Sequence, residues 1–226
     1  MSSKTFPTLH TEAELFAAGN RFVIGIDEVG RGAIAGPVAV GLAILDSQQS
    51  QLRNWPESLQ DSKLMTERSR EGIESQLKSW VRDSAVGLSS NEEIDRHGIV
   101  AALALAASRG LTKLLEDSLL AKELAGDGAV ILLDGSHDWL GSKSRGLAVQ
   151  VQVKADTHCV SVAAASVIAK LERDRLMRKL DEQHPGYGLS GHKGYASAAH
   201  IKAIRELGPA SIHRISWLSK ILPGSE

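Results

Sequence analysis

The sequence predicts an α/β protein in which a mixed central sheet is flanked by helices. Short runs of β-branched and aliphatic residues alternate with longer segments of helical periodicity. The first two apolar runs have only the glycine-bounded segment Gly32–Gly36 between them, so they can pair as neighbours. The later runs are separated by segments long enough for a helix, the pattern of a sheet covered by helices. With 226 residues, 42% of them hydrophobic, residues 1–226 are predicted to form one domain with a sizeable core.

Five segments have the composition of strands. The first contains the run Phe-Val-Ile, and the second follows the glycine-bounded segment. The third is short, whereas the fourth follows a glycine break and leads into Asp134-Gly135. The fifth leads into Lys154-Ala155-Asp156. The predicted strands are 21–27, 37–45, 84–88, 129–133 and 147–153.

Two helices are predicted in the first half of the chain. Thr66 can cap the first of them, and Glu67 then lies at its positive end. Positions 73, 77, 80 and 81 of this helix are apolar and fall on one face. The second is a long helix, indicated by apolar residues at 99, 103, 107 and 114.

Two further helices are predicted in the second half. The segment from Val160 to about Leu180 is small and apolar at first and charged later. Ser197 can cap a final helix, which Gly208-Pro209 ends. The segment 184–195 between these helices contains four glycines and is predicted to be a loop.

The composition excludes several classes of protein. No apolar run approaches the roughly 20 residues that a membrane span needs, and residues 1–6 lack the apolar core of a signal peptide. The single cysteine, Cys159, rules out an internal disulfide and a cysteine-based zinc site. We therefore expect a soluble, cytoplasmic protein that makes no contact with membranes.

The formal net charge of −1 conceals an asymmetry. Residues 1–135 carry 13 Lys and Arg against 19 Asp and Glu, whereas residues 136–226 carry 13 against 8. A basic C-terminal half could contact a polyanion while the acidic half supplies metal ligands. A difference of this size is also close to ordinary scatter of surface charge. The low overall charge argues against tight, indiscriminate binding of nucleic acid.

The most informative segment is Ile-Gly-Ile-Asp27-Glu28-Val-Gly30-Arg31-Gly32. It places two adjacent carboxylates at the end of an apolar strand, where they repel each other and lose hydration. A hard divalent cation such as Mg²⁺ would compensate them. The glycines allow a close approach of backbone to a ligand, and the arginine can pair with phosphate. The segment therefore suggests phosphoryl chemistry, although a capped strand followed by a surface turn is the alternative.

Two further acids, Asp134 and Asp156, follow other predicted strands. Ligands of open α/β sheets gather near the carboxyl ends of the strands. Four carboxylates meeting there imply one or two divalent cations. Two metals about 3.5–4 Å apart would activate a water and stabilise the leaving oxygen of an in-line phosphoryl displacement. Each acid alone is weak evidence, because an aspartate followed by glycine is usually a turn.

A dinucleotide-binding fold is the natural competitor. The spacing Gly30-x-Gly32-x-x-x-Gly36 is one residue longer than the Rossmann fingerprint. The segment after it is extended rather than helical, so it lacks the helix N-terminus that holds a pyrophosphate. Both observations argue against that fold.

Several other residues could contact a phosphate or a sugar, although each could equally be an ordinary exposed side chain. Tyr195 stands out because it is one of only two tyrosines and lies in a glycine-rich loop. Its ring could stack on a base or sugar, or pack against its own loop. His213-Arg214 could contact backbone phosphate or cap the end of the chain. The remaining candidates are Arg31, Lys63, Lys154, Ser166, Lys170 and Lys193.

Seven ordered blocks of the sequence together resemble bacterial ribonuclease HII. They run from about residue 22 to 217, nearly the whole chain, so a chance match is very improbable. The blocks are Gly-Ile-Asp27-Glu28-Val-Gly30-Arg31-Gly32, Asp61-Ser62-Lys63, Leu-Asp134-Gly135, Val-Lys154-Ala-Asp156, Ala163-Ala-Ala-Ser166-Val-Ile-Ala-Lys170, Arg173-Asp174, and Pro185-Gly-Tyr-Gly with His192-Lys193-Gly194-Tyr195 and His200.

The resemblance implies an RNase H-like fold, with a core over about 20–183 and a helical C-terminal part over about 184–226. It implies cleavage of RNA in RNA–DNA hybrids and incision 5′ of single ribonucleotides in duplex DNA, leaving a 3′-hydroxyl. The implied cofactor is Mg²⁺ or Mn²⁺, two ions per active site with substrate bound. By this likeness the metal-binding catalytic acids are Asp27, Glu28, Asp134 and Asp156.

The resemblance also assigns residues to the substrate. The backbone of Gly30-Arg31-Gly32 would read the ribose 2′-hydroxyl, the group that distinguishes RNA from DNA at a given position. Tyr195 would stack on the following deoxyribose and touch the 2′-hydroxyl. The side chains that would hold phosphates or the site itself are those of Lys63, Ser166, Lys170 and Lys193.

Small departures from the family pattern occur at two places. Ala33 stands where the family often has proline, and His213–Trp217 lacks the second arginine of the usual His-Arg-Arg-Ser-Phe. No clear sliding-clamp motif follows, so clamp binding stays open, and a monomer is expected. The sister ribonuclease HIII usually carries lysine in place of Arg31 and an extra N-terminal domain, which makes it the poorer match.

Two alternatives to this function stay open. A catalytically silent nucleic-acid-binding protein could share the fold, although binding alone gains nothing from clustered acids. Another nuclease of the same fold, such as a junction resolvase, would not need the sugar-reading elements Gly30–Gly32 and Tyr195.

Overall fold

A five-stranded sheet forms the centre of the part of the chain that the structure describes. The structure is a computed structural model, and it describes residues 6–47, 55–219 and 221. The strands are β1 (Phe22–Val29), β2 (Val38–Asp46), β3 (Asp83–Ser89), β4 (Ala129–Asp134) and β5 (Ala148–Gln152). Their order in the sheet is β3-β2-β1-β4-β5, with β2 antiparallel to β1 and β3, and with β4 and β5 parallel to β1. The predicted mixed sheet is thus confirmed, and each predicted strand is present.

The helices flank this sheet. The helices of the described residues are α1 (His10–Ala17), α2 (Glu67–Trp80), α3 (Asn91–His97), α4 (Ile99–Leu114), α5 (Ser118–Gly126), α6 (Ala155–His158), α7 (Val160–Gln183), α8 (Leu189–His192) and α9 (Ala198–Leu207). The four predicted helices correspond to α2, α4, α7 and α9, and the other five are shorter helices that were not predicted. None of the described helices is both long and apolar enough to cross a bilayer.

The segment 184–195, predicted to be only a loop, contains the one-turn helix α8. Left-handed residues bound it on both sides, with φ of 72° at Gly188 and 51° at Lys193. A single turn is too short to produce a helical period in the sequence. Helix α3 carried a detectable feature, since Ser90 and Glu93 form a capping box at its start.

The central strands β1 and β2 are buried on both faces, whereas β5 is partly exposed. Helices α4 and α5 cover one face of the sheet and share a core with Ile24, Ile26 and Leu42. Helices α2 and α7 cover the other face. Helix α7 lies so close to β1 that a Cβ added at Gly25 would fall 2.3 Å from the Ser161 carbonyl carbon. This close approach requires glycine in the strand.

The C-terminal helices form a separate apolar cluster with the segment that follows β1. Ile34 and Ala35 pack there with Met177 of α7, Leu189 of α8 and Ile204 of α9. The C-terminal part is therefore helical, as expected, and it holds the connection between β1 and β2 in place. That connection, residues 30–37, is called the Gly30 loop below.

Candidate active site

The parallel strands β1, β4 and β5 bring three carboxylates to one edge of the sheet. Asp27 lies in β1, Asp134 is the last residue of β4, and Asp156 lies in α6. Ligand oxygens of all three lie within 4.8 Å of one another. Asp156 was expected directly after a strand, but β5 ends at Gln152. The left-handed Lys154 (φ 58°) turns the chain into α6, which returns Asp156 to the cluster.

The donor set of this cluster fits a hard divalent cation. Oδ1 of Asp27 accepts a hydrogen bond from the Glu28 amide at 2.8 Å, whereas its buried Oδ2 has no hydrogen-bond partner among the described residues. Burial raises the pKa of Asp27 well above its ordinary value, and the charges of Glu28 and Asp134 add to this effect, although Ser166 and Lys63 act in the opposite direction. Burial and Asp156 likewise raise the pKa of Asp134. Oxygen-only ligands in this arrangement are those that Mg²⁺ and Mn²⁺ prefer.

Glu28, the fourth predicted acid, lies beside the cluster without joining the close group of three. Its Oε1 accepts a hydrogen bond from Arg31 Nη1 at 3.3 Å. It lines two neighbouring cavities, one of about 410 Å³ shared with Asp134 and Trp139, and one of about 220 Å³ shared with Tyr195. Glu28 therefore stands between the acid cluster and the pocket beside it.

Lys63 is the nearest cation to the acids. Its Nζ lies 3.0 Å from Oδ2 of Asp156. Although partial burial acts in the opposite direction, the carboxylates of Asp27, Asp61 and Asp156 raise the pKa of Lys63. Asp61 also fixes the turn that carries Lys63, because its Oδ1 accepts from the Lys63 amide at 2.9 Å.

Ser166 and Lys170 lie one turn apart on α7 and differ in exposure. Ser166 is fully buried, and its hydroxyl donates to Ser62 Oγ at 2.7 Å. Of the two roles considered for it, this burial favours support of the site over contact with phosphate. Lys170 lines the smaller cavity while its Nζ binds Asp174 Oδ1 at 2.5 Å, and burial lowers the pKa of Lys170.

The smaller cavity combines backbone of the Gly30 loop with the ring of Tyr195. Tyr195 is 40% exposed, and its ring centroid lies 5.8 Å from Cζ of Arg173. The Gly194 carbonyl, next to this ring, accepts hydrogen bonds from the amides of Ile34 and Ala35 at 2.8 and 3.2 Å. The residues lining the cavity are Glu28, Val29, Gly30, Arg31, Gly32, Ser62, Lys63, Lys170 and Tyr195.

The last two predicted cations lie around this site. Lys154 is exposed at the turn into α6. Lys193 is held along its own loop, because its Nζ donates to the Ser190 carbonyl at 2.6 Å and lies 3.7 Å from Glu67 Oε1.

The expectation that His213-Arg214 contacts phosphate or caps the end of the chain is wrong. Both side chains are fully buried. Arg214 donates to the carbonyls of Gly30 and Arg31 at 2.7 and 2.8 Å, and His213 Nε2 lies 3.2 Å from His200 Nε2. Burial of these two residues was not predictable, since arginine and histidine near a chain end are ordinarily exposed.

The sheet order and the acid cluster define a nuclease with an RNase H-like fold. Solved structures match the fold over most of the chain. The ribonuclease H2 of Pyrococcus horikoshii superposes with a TM-score of 0.64 at 28% identity, covering 88% of this chain and 96% of that one. The ribonuclease HII of Archaeoglobus fulgidus, solved in complex with PCNA, gives a TM-score of 0.61 at 26% identity, covering 87% and 95%.

The chain belongs to the ribonuclease HII family. The sequence profile described as Ribonuclease HII matches residues 24–220. The ribonuclease HII of Streptomyces avermitilis is 44% identical over 212 residues, which are 93% of this chain and 83% of that protein. The chain is accordingly a ribonuclease H, an endonuclease of the family that cleaves RNA in RNA–DNA hybrids.

Proposed function

We propose that this chain also incises duplex DNA on the 5′ side of a single embedded ribonucleotide, leaving a 3′-hydroxyl and a 5′-phosphate. The observation that carries the proposal is the adjacency of two features. A group of three carboxylates lies beside a pocket built from the Gly30 loop and Tyr195, and the group includes the buried Oδ2 of Asp27, which has no hydrogen-bond partner in the part of the chain that the structure describes. The first feature suits hydrolysis of a phosphodiester, and the second suits recognition of one sugar.

The acids hold the metal in this proposal. Asp27, Asp134 and Asp156 would bind Mg²⁺ or Mn²⁺, and Glu28 would complete the site for a second ion when substrate is present. Bound ions of this kind activate water and stabilise the leaving oxygen of an in-line displacement. Lys63 neutralises part of the acid charge through Asp156.

The Gly30 loop and Tyr195 select the sugar. The backbone of Gly30, Arg31 and Gly32 would contact the ribose 2′-hydroxyl, since these residues line the cavity with few side-chain atoms between backbone and ligand. The exposed ring of Tyr195 would stack on the next deoxyribose. The side chains proposed to hold phosphates are those of Lys63, Lys154, Lys170 and Lys193, and Ser166 would fix the position of the site.

The proposal places the enzyme in removal of ribonucleotides from DNA, in the cytoplasm, during replication and repair. Its substrates are RNA–DNA hybrids and ribonucleotide-containing duplexes, and the chain acts as a monomer. The PCNA complex of the Archaeoglobus fulgidus enzyme makes a sliding clamp the partner to test next.

A labelled DNA duplex with one ribonucleotide tests the activity, with an all-DNA duplex of the same sequence as the control. Both are incubated with the protein in Mg²⁺, in Mn²⁺ and in EDTA. We expect a metal-dependent cut 5′ of the ribonucleotide and an intact control. The cavity lined by Gly30, Arg31, Gly32 and Tyr195 is called the sugar pocket below. Cutting of both duplexes would show that the sugar pocket does not select the ribonucleotide. No cutting by folded protein would favour a catalytically silent nucleic-acid-binding protein.

Asp134→Asn tests the acids. We expect it to abolish cleavage while folding and duplex binding persist, because asparagine keeps an oxygen that can accept from the Ala155 amide, as Asp134 Oδ1 does at 2.7 Å, but loses the charge that would bind the metal. Asp127→Asn is the matched control, since Asp127 lies just before the opposite end of β4 and pairs with Arg21 at the surface. Unchanged turnover of Asp134→Asn would overturn the assignment.

A further inference from the structure

Two arginines lie fully buried beneath the sugar pocket. Arg173 of α7 and Arg214 near the end of the chain are both 0% exposed. Asp174, next to Arg173 in the chain, pairs with Arg70 and Lys170 instead. Within the described residues, the hydrogen bonds of both guanidinium groups go to main-chain carbonyl oxygens. Burial lowers the pKa of both arginines, that of Arg214 to about 9.

Arg214 fixes the two ends of the Gly30 loop. Its Nη1 and Nη2 donate to the carbonyls of Arg31 and Gly30 at 2.8 and 2.7 Å. Its Nε and Nη2 donate to the Gly36 carbonyl at 3.2 and 3.1 Å. These carbonyls therefore face the interior, and the planar guanidinium sets the distance between the ends of the loop.

Arg173 joins the Gly30 loop to the segment that carries Tyr195. Its Nε donates to the Pro37 carbonyl at 2.9 Å, and its Nη2 donates to the Ala35 carbonyl at 3.3 Å. Its Nη1 donates to the Lys193 carbonyl at 2.9 Å, and the guanidinium lies under the Tyr195 ring. Arg173 also packs on Gly30, because a Cβ there would lie 2.1 Å from its Nε.

Two buried cations that pair with no carboxylate of the described residues are costly to keep, and they repel each other. Hydrophobic side chains of similar size would fill the same space at lower cost, but they could not bind six carbonyls in fixed directions. The arrangement is therefore better explained by a need for geometry than by stability. Of the six carbonyls, those of Gly30 and Arg31 belong to residues that line this pocket, and that of Lys193 lies two positions before Tyr195.

We infer that Arg173 and Arg214 are positioning residues that set the spacing between the Gly30 loop backbone and the Tyr195 ring, and thereby the preference for a ribonucleotide over a deoxyribonucleotide. The inference rests on the proposed function, because it assigns sugar recognition to this pocket. Neither arginine touches the substrate. Each acts through the carbonyl oxygens that it holds.

The test measures selectivity rather than activity alone. The Kd for a duplex with one ribonucleotide and the Kd for the all-DNA duplex are measured by fluorescence anisotropy in EDTA for wild type, Arg173→Lys and Arg214→Lys. Lysine keeps the charge but loses the planar fork. Selectivity is the Kd for the all-DNA duplex divided by the Kd for the ribonucleotide duplex. We expect this ratio to fall by about tenfold in each variant, while the Kd for the all-DNA duplex hardly changes. Arg175→Lys, an exposed change on the same helix, is the control and should keep the ratio.

The outcomes separate this inference from the proposed function. If the wild type binds both duplexes equally, the proposed sugar recognition fails. If the wild type discriminates and the folded lysine variants discriminate equally well, the arginines are only structural and the inference fails. Should a lysine variant not fold, the Nε–H resonances of the wild-type arginines give the answer. They should shift when the ribonucleotide duplex binds, and unchanged resonances would contradict the inference.

Discussion

The acid cluster and the Gly30 loop lie at the same end of β1, yet they are built in opposite ways. The cluster gathers negative side chains with too few positive partners among the described residues, and one oxygen of Asp27 is buried there without a hydrogen-bond partner. The loop presents backbone atoms, and two buried arginines satisfy its inward carbonyls. The first region is incomplete without a ligand, whereas the second is complete before any ligand arrives.

This difference indicates how the two parts of the reaction are divided. A site that holds a divalent cation, as we propose for the cluster, gains from charges that a cation can neutralise. A site that must distinguish one hydroxyl group gains from a rigid frame, because a displaced contact loses its selectivity. We therefore expect substitutions in the cluster to remove activity without loss of stability. Substitutions in the Gly30 loop, or in Arg173 and Arg214 that hold it, should reduce both activity and stability.

The largest effect on activity is expected for Asp27→Asn. Loss of this ligand should lower the rate by about 10³-fold or more, since metal coordination contributes several kcal/mol to the transition state. In EDTA the same change should raise the melting temperature, because a neutral amide replaces a buried carboxylate whose Oδ2 has no hydrogen-bond partner among the described residues. A gain of about 1 kcal/mol corresponds to about 2–4 °C. Calorimetry and a cleavage assay on the same preparation check both parts, and a lower melting temperature would contradict the comparison.

Gly30→Ala should reduce both stability and activity. Gly30 has φ of 83°, and a Cβ there would collide with the buried Arg173. Left-handed strain and this collision together should cost about 2 kcal/mol or more. Gly32→Ala is the matched control, since an added Cβ meets nothing within 4 Å and should change stability by about 0.5 kcal/mol or less. Thermal melts of both variants check the difference, and equal losses would show that the loop is not framed by Arg173.

The acid cluster was largely predictable from the sequence because its chemistry lies in side chains at the ends of strands. Asp27 and Asp134 occupy such positions, and the sheet order brings them together. The position of Asp156 was predicted less well, since it depends on the left-handed turn at Lys154. The sequence analysis grouped Glu28 with the other three acids, although adjacent residues of a strand point to opposite faces, and in the structure Glu28 accepts a hydrogen bond from Arg31.

The support of the Gly30 loop by Arg173 and Arg214 was not predictable in the same way. Arg214 and Gly30 are 184 positions apart, and the contact between them involves a backbone carbonyl that leaves no mark in the sequence. An arginine also reads as a surface residue, so His213-Arg214 suggested phosphate rather than a buried support. The family pattern pointed to Arg173 as part of a block, but only packing against Gly30 explains what it does.

The last expected effect is that the two regions respond to pH in opposite directions. His200 is fully buried between His192 and His213. Its Nδ1 lies 2.9 Å from the Tyr195 carbonyl oxygen, within hydrogen-bond distance. Burial lowers the pKa of His200 to about 4. Because the unfolded chain binds that proton near pH 6.5, stability that is present above this pH is lost as the pH falls toward 4, by roughly 3 kcal/mol. Asp27 acts with the opposite sign, since its raised pKa removes stability as the pH rises.

In EDTA, the difference in free energy of unfolding between wild type and His200→Gln should therefore shrink as the pH falls from 7 to 4.5. The gain from Asp27→Asn should shrink over the same range, and unfolding in urea at each pH measures both. A His200→Gln difference that does not change with pH would mean that the frame beneath Tyr195 tolerates a charged histidine.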